Sequence, residues 1–335
     1  MKTYRKLVLR KRPEDTLEPD AVEVVRAKVP VPRDGEFLVR LDHLSMDVAM
    51  RGWMLDEHSY VDPIPLGDVP RACGAGHVIE SRHPCFAQGD CVLGTFGARE
   101  LAVSDGHGVV RVDTEKAPLV RWAGSLGLTT AMTAYLGLLK VGKPRRGQTV
   151  LVSGASGAVG SIVGQTAKLK GCRVVGIAGG AENCGSLVDA LGFDAYVDYT
   201  VRDFESQLCA ACPERVDVFF DNVGGNVLDG SLAWMKPHGR VVLCGMTADR
   251  KTGRPTRLTN IRHVLIDRLI VQGFILFDHA SYFAEAAENL GKWYRSGRLK
   301  ILREEEKRTG GLAKLVDHLN DLLAGRCTGK MVLKL

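Results

Sequence analysis

The sequence predicts an α/β protein in which a doubly wound parallel sheet stands beside a β-rich domain. Three observations predict it. Between about residues 148 and 277, six short apolar runs alternate with stretches of helical spacing. A glycine-rich turn, Gly154-Ala-Ser-Gly157-Ala-Val-Gly160, closes the first run and opens the first helix. The first 125 residues show short strand-like runs, Gly/Pro punctuation and little helical periodicity. Strands alternating with helical patterns of roughly 10–15 residues form βαβ units and a parallel sheet.

In chain order, residues 37–41 and 91–93 are short apolar runs of strand type, bounded by turn residues. The run 149–153 follows, then helical spacing over 161–170. The run 173–177 precedes a helical stretch from 181 to 191. Residues 195–198 form the third run, before a helix over 203–211. The fourth run, 216–220, leads into a helix over 227–235, and the fifth is 240–244. The sixth, 269–277, follows a helix-like stretch near 261–267. These runs are continuous rather than alternating because strands covered by helices on both faces bury both sides. Residues 330–335 read as a closing strand. The expected division is a β-rich domain over 1–125, completed by 300–335, and a nucleotide-binding domain over 126–299.

Composition narrows the function classes. With 45% hydrophobic and 25% charged residues, the chain is not disordered, collagenous or a coiled coil. No run approaches the roughly 18–20 uncharged apolar residues of a membrane span. Lys2, Arg5, Lys6 and Arg10 interrupt the region where a signal peptide needs an apolar core. The expectation is a cytoplasmic protein without a membrane partner. The net charge of +6 matches the tail from Gly291, with eleven Lys and Arg against five acids. Glu304-Glu305-Glu306 breaks that tail, and no nucleic-acid motif accompanies it, so solvated amphipathic helix is expected rather than nucleic-acid binding. Nine cysteines, an odd number, fit reduced thiols rather than a disulfide scaffold. Cys209 and Cys212 form a CxxC pair with no second pair to complete a zinc site, so two thiols on one helix are expected.

The glycine turn is the sharpest motif. Glycines there let the backbone turn tightly and approach a pyrophosphate, while the helix N-terminus favours the anion. The strict GxGxxG pattern is broken by Ala155, and the spacing is GxxGxxG. Sites that prefer NAD place an acid at the end of the second strand to hold the ribose hydroxyls. Here that point reads Ile177-Ala-Gly-Gly180. The missing acid permits a 2′-phosphate and favours NADPH, with NADH still possible. Yet residues 181–186 contain no Lys or Arg to meet that phosphate, which leaves Arg173 and Arg202 as the candidates on either side of the segment.

The segment 153–176, opening Ser153-Gly-Ala-Ser-Gly-Ala-Val-Gly160, resembles the zinc-independent medium-chain dehydrogenase/reductases. The branch it is most similar to holds the leukotriene B4 12-hydroxydehydrogenase/prostaglandin reductases and the NADPH-dependent curcumin reductases. Ser45-Met-Asp47, Met50-Arg-Gly52, Ser81-Arg-His-Pro84, Phe219-Phe-Asp-Asn-Val-Gly-Gly225, Val242-Leu-Cys-Gly245, Gly273-Phe-Ile-Leu-Phe-Asp278 and Gly329-Lys-Met-Val-Leu-Lys-Leu335 carry the likeness over almost the whole length. The resemblance implies a GroES-like β domain flanking a Rossmann domain, with cofactor and substrate in the cleft between them. It implies reduction of the C=C bond of α,β-unsaturated ketones and aldehydes by NADPH, in a homodimer joined partly through the last Rossmann strand. Carried over by position, the cofactor contacts are Gly157, Ala158, Val159, Gly160 and Ser161 in the glycine loop, Asn183 and Tyr199 near the adenosine phosphate, and Asn222 after the fourth strand. Cys244, Gly245 and Met246 fall on the nicotinamide side, and Phe274, Ile275 and Leu276 supply backbone contacts or pack as strand core. No metal is expected. Where zinc-dependent relatives carry Cys and Gly-His-Glu ligands, this chain has Ser45-Met-Asp47 and Leu66-Gly-Asp68.

The chain departs from the pattern at positions that matter. Asn183 replaces the lysine that pairs the 2′-phosphate, and Cys327 replaces an asparagine near the end. The tyrosines that orient the carbonyl or protonate the enolate fall at Ala49, near Asp249 and near Ile266. Enone reduction needs hydride at the β-carbon and a held oxyanion until the α-carbon gains a proton. The remaining side-chain candidates are Tyr60 and His279 for that work and Arg51 for binding the substrate. Three functions stay open: an ene-reductase acting on an enone or enal, a quinone reductase or allylic alcohol dehydrogenase, and a dinucleotide-binding scaffold or non-redox biosynthetic enzyme with a degenerate reductase site.

Overall fold

The computed structural model describes residues 2–14, 16–252, 255–327 and 329–335. The chain divides into two compact units. One comprises Met1–Thr129, His279–Arg295 and Arg303–Leu335; the other comprises Thr130–Asp278 and Ser296–Leu302.

In the second unit the six apolar runs are strands of one parallel sheet. Their spatial order is Ala195–Asp198, Arg173–Ala178, Thr149–Ser153, Val216–Asp221, Met235–Leu243 and Ile270–Gly273. In sequence terms this is 3-2-1-4-5-6, the doubly wound order whose strand direction of travel reverses beside the first strand. The register sets Ser153 against Ile177 and Val152 against Phe220. Leu151, Val175, Ile177, Val197, Phe219 and Val241 are all fully buried. The crossover helices lie close on this sheet because glycines permit it. A Cβ on Gly164 of the helix Ala158–Leu169 would stand 1.8 Å from the Phe193 ring, and one on Gly176 would stand 2.5 Å from Leu187. Only glycine fits either position.

The sixth strand is shorter than the 269–277 run suggests. It stops at Gly273, and the Phe274 N–H makes a last long bond to the Leu243 carbonyl at 3.4 Å. The chain then turns into a 3₁₀ segment, Leu276–Tyr282. Phe274, Ile275 and Leu276 therefore lie beyond the strand rather than in its core. The Phe274 ring packs over Gly137, where a Cβ would come within 2.5 Å of it, and edge-on to Phe220.

The first unit is β-rich. Its seven-stranded sheet runs Glu306–Arg308, Met331–Lys334, Phe37–Ser45, Cys73–Ser81, Cys91–Thr95 and Val110–Arg111, with Leu101–Ser104 also paired to Phe37–Ser45. The closing strand pairs antiparallel with the third, Val332 opposite Ser45. A separate antiparallel pair joins Thr3–Leu9 to Val22–Lys28. The helix Phe283–Arg295 lies within the 126–299 range yet groups with this unit. Its apolar stripe of Phe283, Ala286, Ala287 and Leu290 is buried, Gly291 lies within contact of Trp122, and Lys116 bonds Glu288 at 2.6 Å. The basic tail is in part this amphipathic helix and the helix Leu315–Leu323. Its acidic interruption is structural. Glu305, with a side chain 1% exposed, pairs with buried Arg121 at 2.8 Å and accepts the Ser125 N–H at 3.1 Å. Cys209 lies exposed on the helix Phe204–Ala211, while Cys212 is buried just past its end.

Candidate functional site

The C-terminal edge of the parallel sheet holds the candidate site of the second unit. Open α/β sheets bind ligands there, at the point where strand order reverses, between Thr149–Ser153 and Val216–Asp221. Gly154 leaves the first strand at φ +58°, and Gly157 precedes the twelve-residue helix Ala158–Leu169. A Cβ on Gly160 would lie 2.3 Å from the Gly154 carbonyl oxygen and 2.8 Å from the Ala155 Cα. The turn closes on the helix only because that atom is missing. Ala158, Val159 and Gly160 occupy the first helical positions, whose N–H groups have no acceptor within the helix. Gly157 and Ala158 are exposed, Val159 is half-buried and Gly160 is buried, so the helix opens to solvent at its first residue. This cradle fits a pyrophosphate. Ser161 does not present its hydroxyl outward; it is 5% exposed and donates to the Ala158 carbonyl at 3.3 Å.

The opposite wall is fixed by a buried carboxylate. Asp221, fully buried, ends the fourth strand and accepts the Ser153 hydroxyl at 2.6 Å and the N–H groups of Val223 and Gly224 at 3.1 and 2.9 Å. Burial pushes its carboxyl above the usual range, against the pull of those donors. Asn222 then spans the two strands: its N–H donates to the Ser153 hydroxyl at 2.8 Å, and its side-chain amide donates to the Ser153 carbonyl at 2.7 Å. Cys244 and Gly245 are held by N–H bonds to the Asp221 carbonyl at 2.8 and 3.2 Å. Burial, and next the Asp221 charge, push the Cys244 thiol up to about 12, so it is protonated at neutral pH. Met246 is 45% exposed at the open rim. Asp221 was not among the sequence candidates, although a carboxylate closing a continuous apolar run is a visible signal. Ser153 carried none.

Farther along the same edge lies the adenosine-side candidate pair. Asn183 turns its amide onto the Gly179 carbonyl at 2.9 Å. The Tyr199 ring lies against Gly179, where a Cβ would stand 2.9 Å from it, and is half-exposed. Asp198 binds the Gly180 N–H at 3.0 Å. Arg173 is removed from this end. It opens its strand opposite Thr149, and its guanidinium donates to the Ala211 carbonyl at 2.9 Å. Six residues of strand, about 17–20 Å, separate it from the glycine edge.

In the first unit, Arg51 lies on the helix Ala49–Met54, and its guanidinium donates to the Glu14 carbonyl. Tyr60 is half-exposed, and its oxygen accepts the indole N–H of Trp53, a residue 3% exposed, at 2.7 Å. His279 lies in the segment Leu276–Tyr282, its ring centroid 6.5 Å from that of Tyr282. Trp53 was absent from the sequence candidates because an apolar position on a helix carries no mark of a hydrogen-bonding role. Equally unmarked is the Lys330 ammonium, which bonds Asp47 and the Met46 carbonyl across 284 residues of chain. Among the described residues, no group of three or more His, Cys, Asp or Glu is placed to hold a metal ion.

Comparison with known proteins accords with this arrangement. Residues 5–112 match the family model described as the N-terminal domain of oxidoreductase, and residues 158–292 match the one described as zinc-binding dehydrogenase. The chain is 37% identical to the NADPH-dependent curcumin reductase of Escherichia coli, over 98% of this chain and 96% of that one. It is 34% identical to the 2-alkenal reductase (NADP(+)-dependent) of Nicotiana tabacum, over 93% and 91% of the two chains. To prostaglandin reductase 1 of Sus scrofa the identity is 33%, over 94% of each. Among solved structures, CurA from Vibrio vulnificus in complex with NADPH matches with a TM-score of 0.82 and 35% identity, over 98% of both chains.

Proposed function

The chain belongs to the medium-chain dehydrogenase/reductase family of oxidoreductases, in the branch of the curcumin and prostaglandin reductases, and from that premise we propose that it is an NADPH-dependent ene-reductase. Its substrate class is the α,β-unsaturated ketone or aldehyde. One observation carries this proposal: relatives named as reductases of curcumin, 2-alkenals, pulegone and prostaglandins match it over nine-tenths or more of its length. The glycine turn at Gly154–Gly160 supports it, because it opens a helix whose first N–H groups suit a pyrophosphate. The quinone oxidoreductases among the structural neighbours are 22% identical or less and speak for the fold alone.

NADPH, when bound, supplies the hydride. The first-turn N–H groups of Ala158, Val159 and Gly160 hold its pyrophosphate, with Asn222 and Gly245 as the facing wall. Gly157, Ser161, Asn183, Tyr199, Cys244, Met246, Phe274, Ile275 and Leu276 complete the binding surface in this proposal. Ser161 contributes through its place in the first helical turn, since its hydroxyl is turned inward. No metal takes part. Tyr60 is the side chain best suited to hold the carbonyl oxygen and return a proton. Its oxygen accepts the Trp53 indole N–H, which directs its own O–H elsewhere. His279 and Arg51 are placed in this proposal as wall and substrate-orienting groups, Arg51 with one arm already on the Glu14 carbonyl.

The protein works as a cytoplasmic homodimer in this account. No helix among the described residues is long and apolar enough to cross a membrane, and all nine cysteines are free. Ile270–Gly273 is an exposed edge strand, and Ile261, Leu265, Ile266, Ile270 and Val271 expose apolar surface beside it. An unpaired, uncharged strand edge is a template for a second copy.

The test is consumption of NADPH by the purified protein with a panel of enones, enals and quinones, followed by loss of nicotinamide absorbance. Turnover of enones or enals above quinones is expected. Turnover of quinones alone selects the quinone-reductase alternative. Tight NADPH binding with no turnover of any acceptor selects the scaffold alternative.

A further inference from the structure

We infer that Arg202 is the residue that selects the 2′-phosphate of NADPH in this chain, an inference that rests on the cofactor proposed above. A phosphate dianion bound on a protein surface needs a cation with matching donors, and a guanidinium supplies two parallel ones. The glycine end of the second strand offers none: Asn183 is neutral and its amide is committed to the Gly179 carbonyl. Arg173 lies at the far end of the sheet on the Ala211 carbonyl. Between Val174 and Glu214 the sequence carries a single Lys or Arg, and it is Arg202.

Arg202 stands in the turn after the third strand, and that turn is fastened to the glycine end of the second. One oxygen of Asp198 accepts the Gly180 N–H at 3.0 Å, the Thr200 N–H at 2.9 Å and the Thr200 hydroxyl at 2.6 Å. Gln207 closes the turn from the other side. Its amide donates to the carbonyls of Asp198 and Arg202 at 3.2 and 3.5 Å, and its oxygen accepts the Asp198 N–H at 3.0 Å. The Tyr199 ring covers Gly179. Gly179, Gly180, Tyr199 and Arg202 thus form one ledge on the sheet edge that also carries the glycine cradle. Asp198 stands in this turn, Asp203 follows Arg202 directly, and Arg202 makes no ion pair with either or with any other described residue. Asp203 sits at φ +73° and begins the helix Phe204–Ala211. An exposed, unspent guanidinium on a fixed turn is what the neutral Asn183 leaves to be supplied.

The experiment is equilibrium titration of wild type, Arg202→Gln and Arg202→Lys with NADPH and with NADH, followed by nicotinamide fluorescence. Wild type is expected to prefer NADPH. Arg202→Gln is expected to lose about 10–100-fold in NADPH affinity, the weight of a charge-assisted contact, while NADH affinity stays within about twofold. Arg202→Lys keeps the charge and is expected to retain part of the preference. Retained NADH binding shows that each variant is folded. Should Arg202→Gln not fold, loss of NADPH preference in Arg202→Lys supports the assignment and full retention overturns it. NADPH preference unchanged in Arg202→Gln overturns the inference and leaves the reductase proposal standing. A wild type that does not distinguish the two cofactors overturns the inference together with the NADPH assignment.

Discussion

Tyr60 and Trp53 show how one hydrogen bond changes the standing of a side chain. As a residue in a loop, Tyr60 is one half-exposed tyrosine among several. With the buried Trp53 indole donating to its oxygen at 2.7 Å, its orientation is fixed. If it holds the carbonyl and returns the proton, Tyr60→Phe lowers kcat for enone reduction by about 10²-fold, the lower range for a positioned general acid. Trp53→Phe keeps the packing and removes the donor, so kcat falls by a smaller factor while KM for NADPH is unchanged. Steady-state kinetics across pH for both variants checks this, and equal kcat in Tyr60→Phe and wild type removes the tyrosine from the mechanism. At the same scale, Cys244 is an unreactive thiol, pushed up to about 12 by burial first and the Asp221 charge second. That would suit the proposed site, whose enone substrates are electrophiles, because the thiolate rather than the thiol attacks them.

At the scale of elements, the site is made where strand ends are tied to one another. Asp221 and Asn222 tie the fourth strand to the first through Ser153, and Asp198 ties the third to the second through Gly180. The Thr200 hydroxyl, then the Thr200 and Gly180 N–H groups, hold the Asp198 carboxyl below the usual carboxylate range. A carboxyl whose folded pKa is depressed stabilises the fold above its unfolded value, and that contribution is lost as pH falls through the folded one. Asp198→Asn is therefore less stable than wild type at pH 7, and the gap narrows as the pH is lowered below about 4. Thermal melts at several pH values measure it; a gap that is constant with pH would sink the argument.

At the scale of the whole molecule, the uncovered edge of the six-stranded sheet is the feature most in need of a partner. Leu265 is 80% exposed, and Ile261, Ile266, Ile270 and Val271 are each 40% exposed or more. No Lys, Pro or inward charge guards the strand Ile270–Gly273, as monomeric edges usually require. If this edge joins two copies, Leu265→Lys and Val271→Lys each shift the protein from dimer toward monomer. Sedimentation at matched concentrations reads the shift. Variants that sediment as wild type would place any interface elsewhere.

What the sequence determined by itself is what repeats locally. Six apolar runs, their spacing and the glycine turn specified the parallel sheet and the edge proposed for the cofactor, because strand burial and close backbone approach leave their marks in consecutive residues. The tertiary structure alone decided which polar groups meet. Arg173 and Arg202 were both sequence candidates, and the structure commits the Arg173 guanidinium to the Ala211 carbonyl at the far end of the sheet. Asn183 could face a phosphate until its amide is seen on Gly179. The sixth run reads as nine residues of strand, yet pairing with the fifth ends at Gly273, because the fifth strand itself ends at Leu243. Ser153 with Asp221, Trp53 with Tyr60 and Arg121 with Glu305 are pairings across 68, 7 and 184 residues. Side-chain hydrogen bonds are set by distance in space, and no local pattern of sequence encodes that distance.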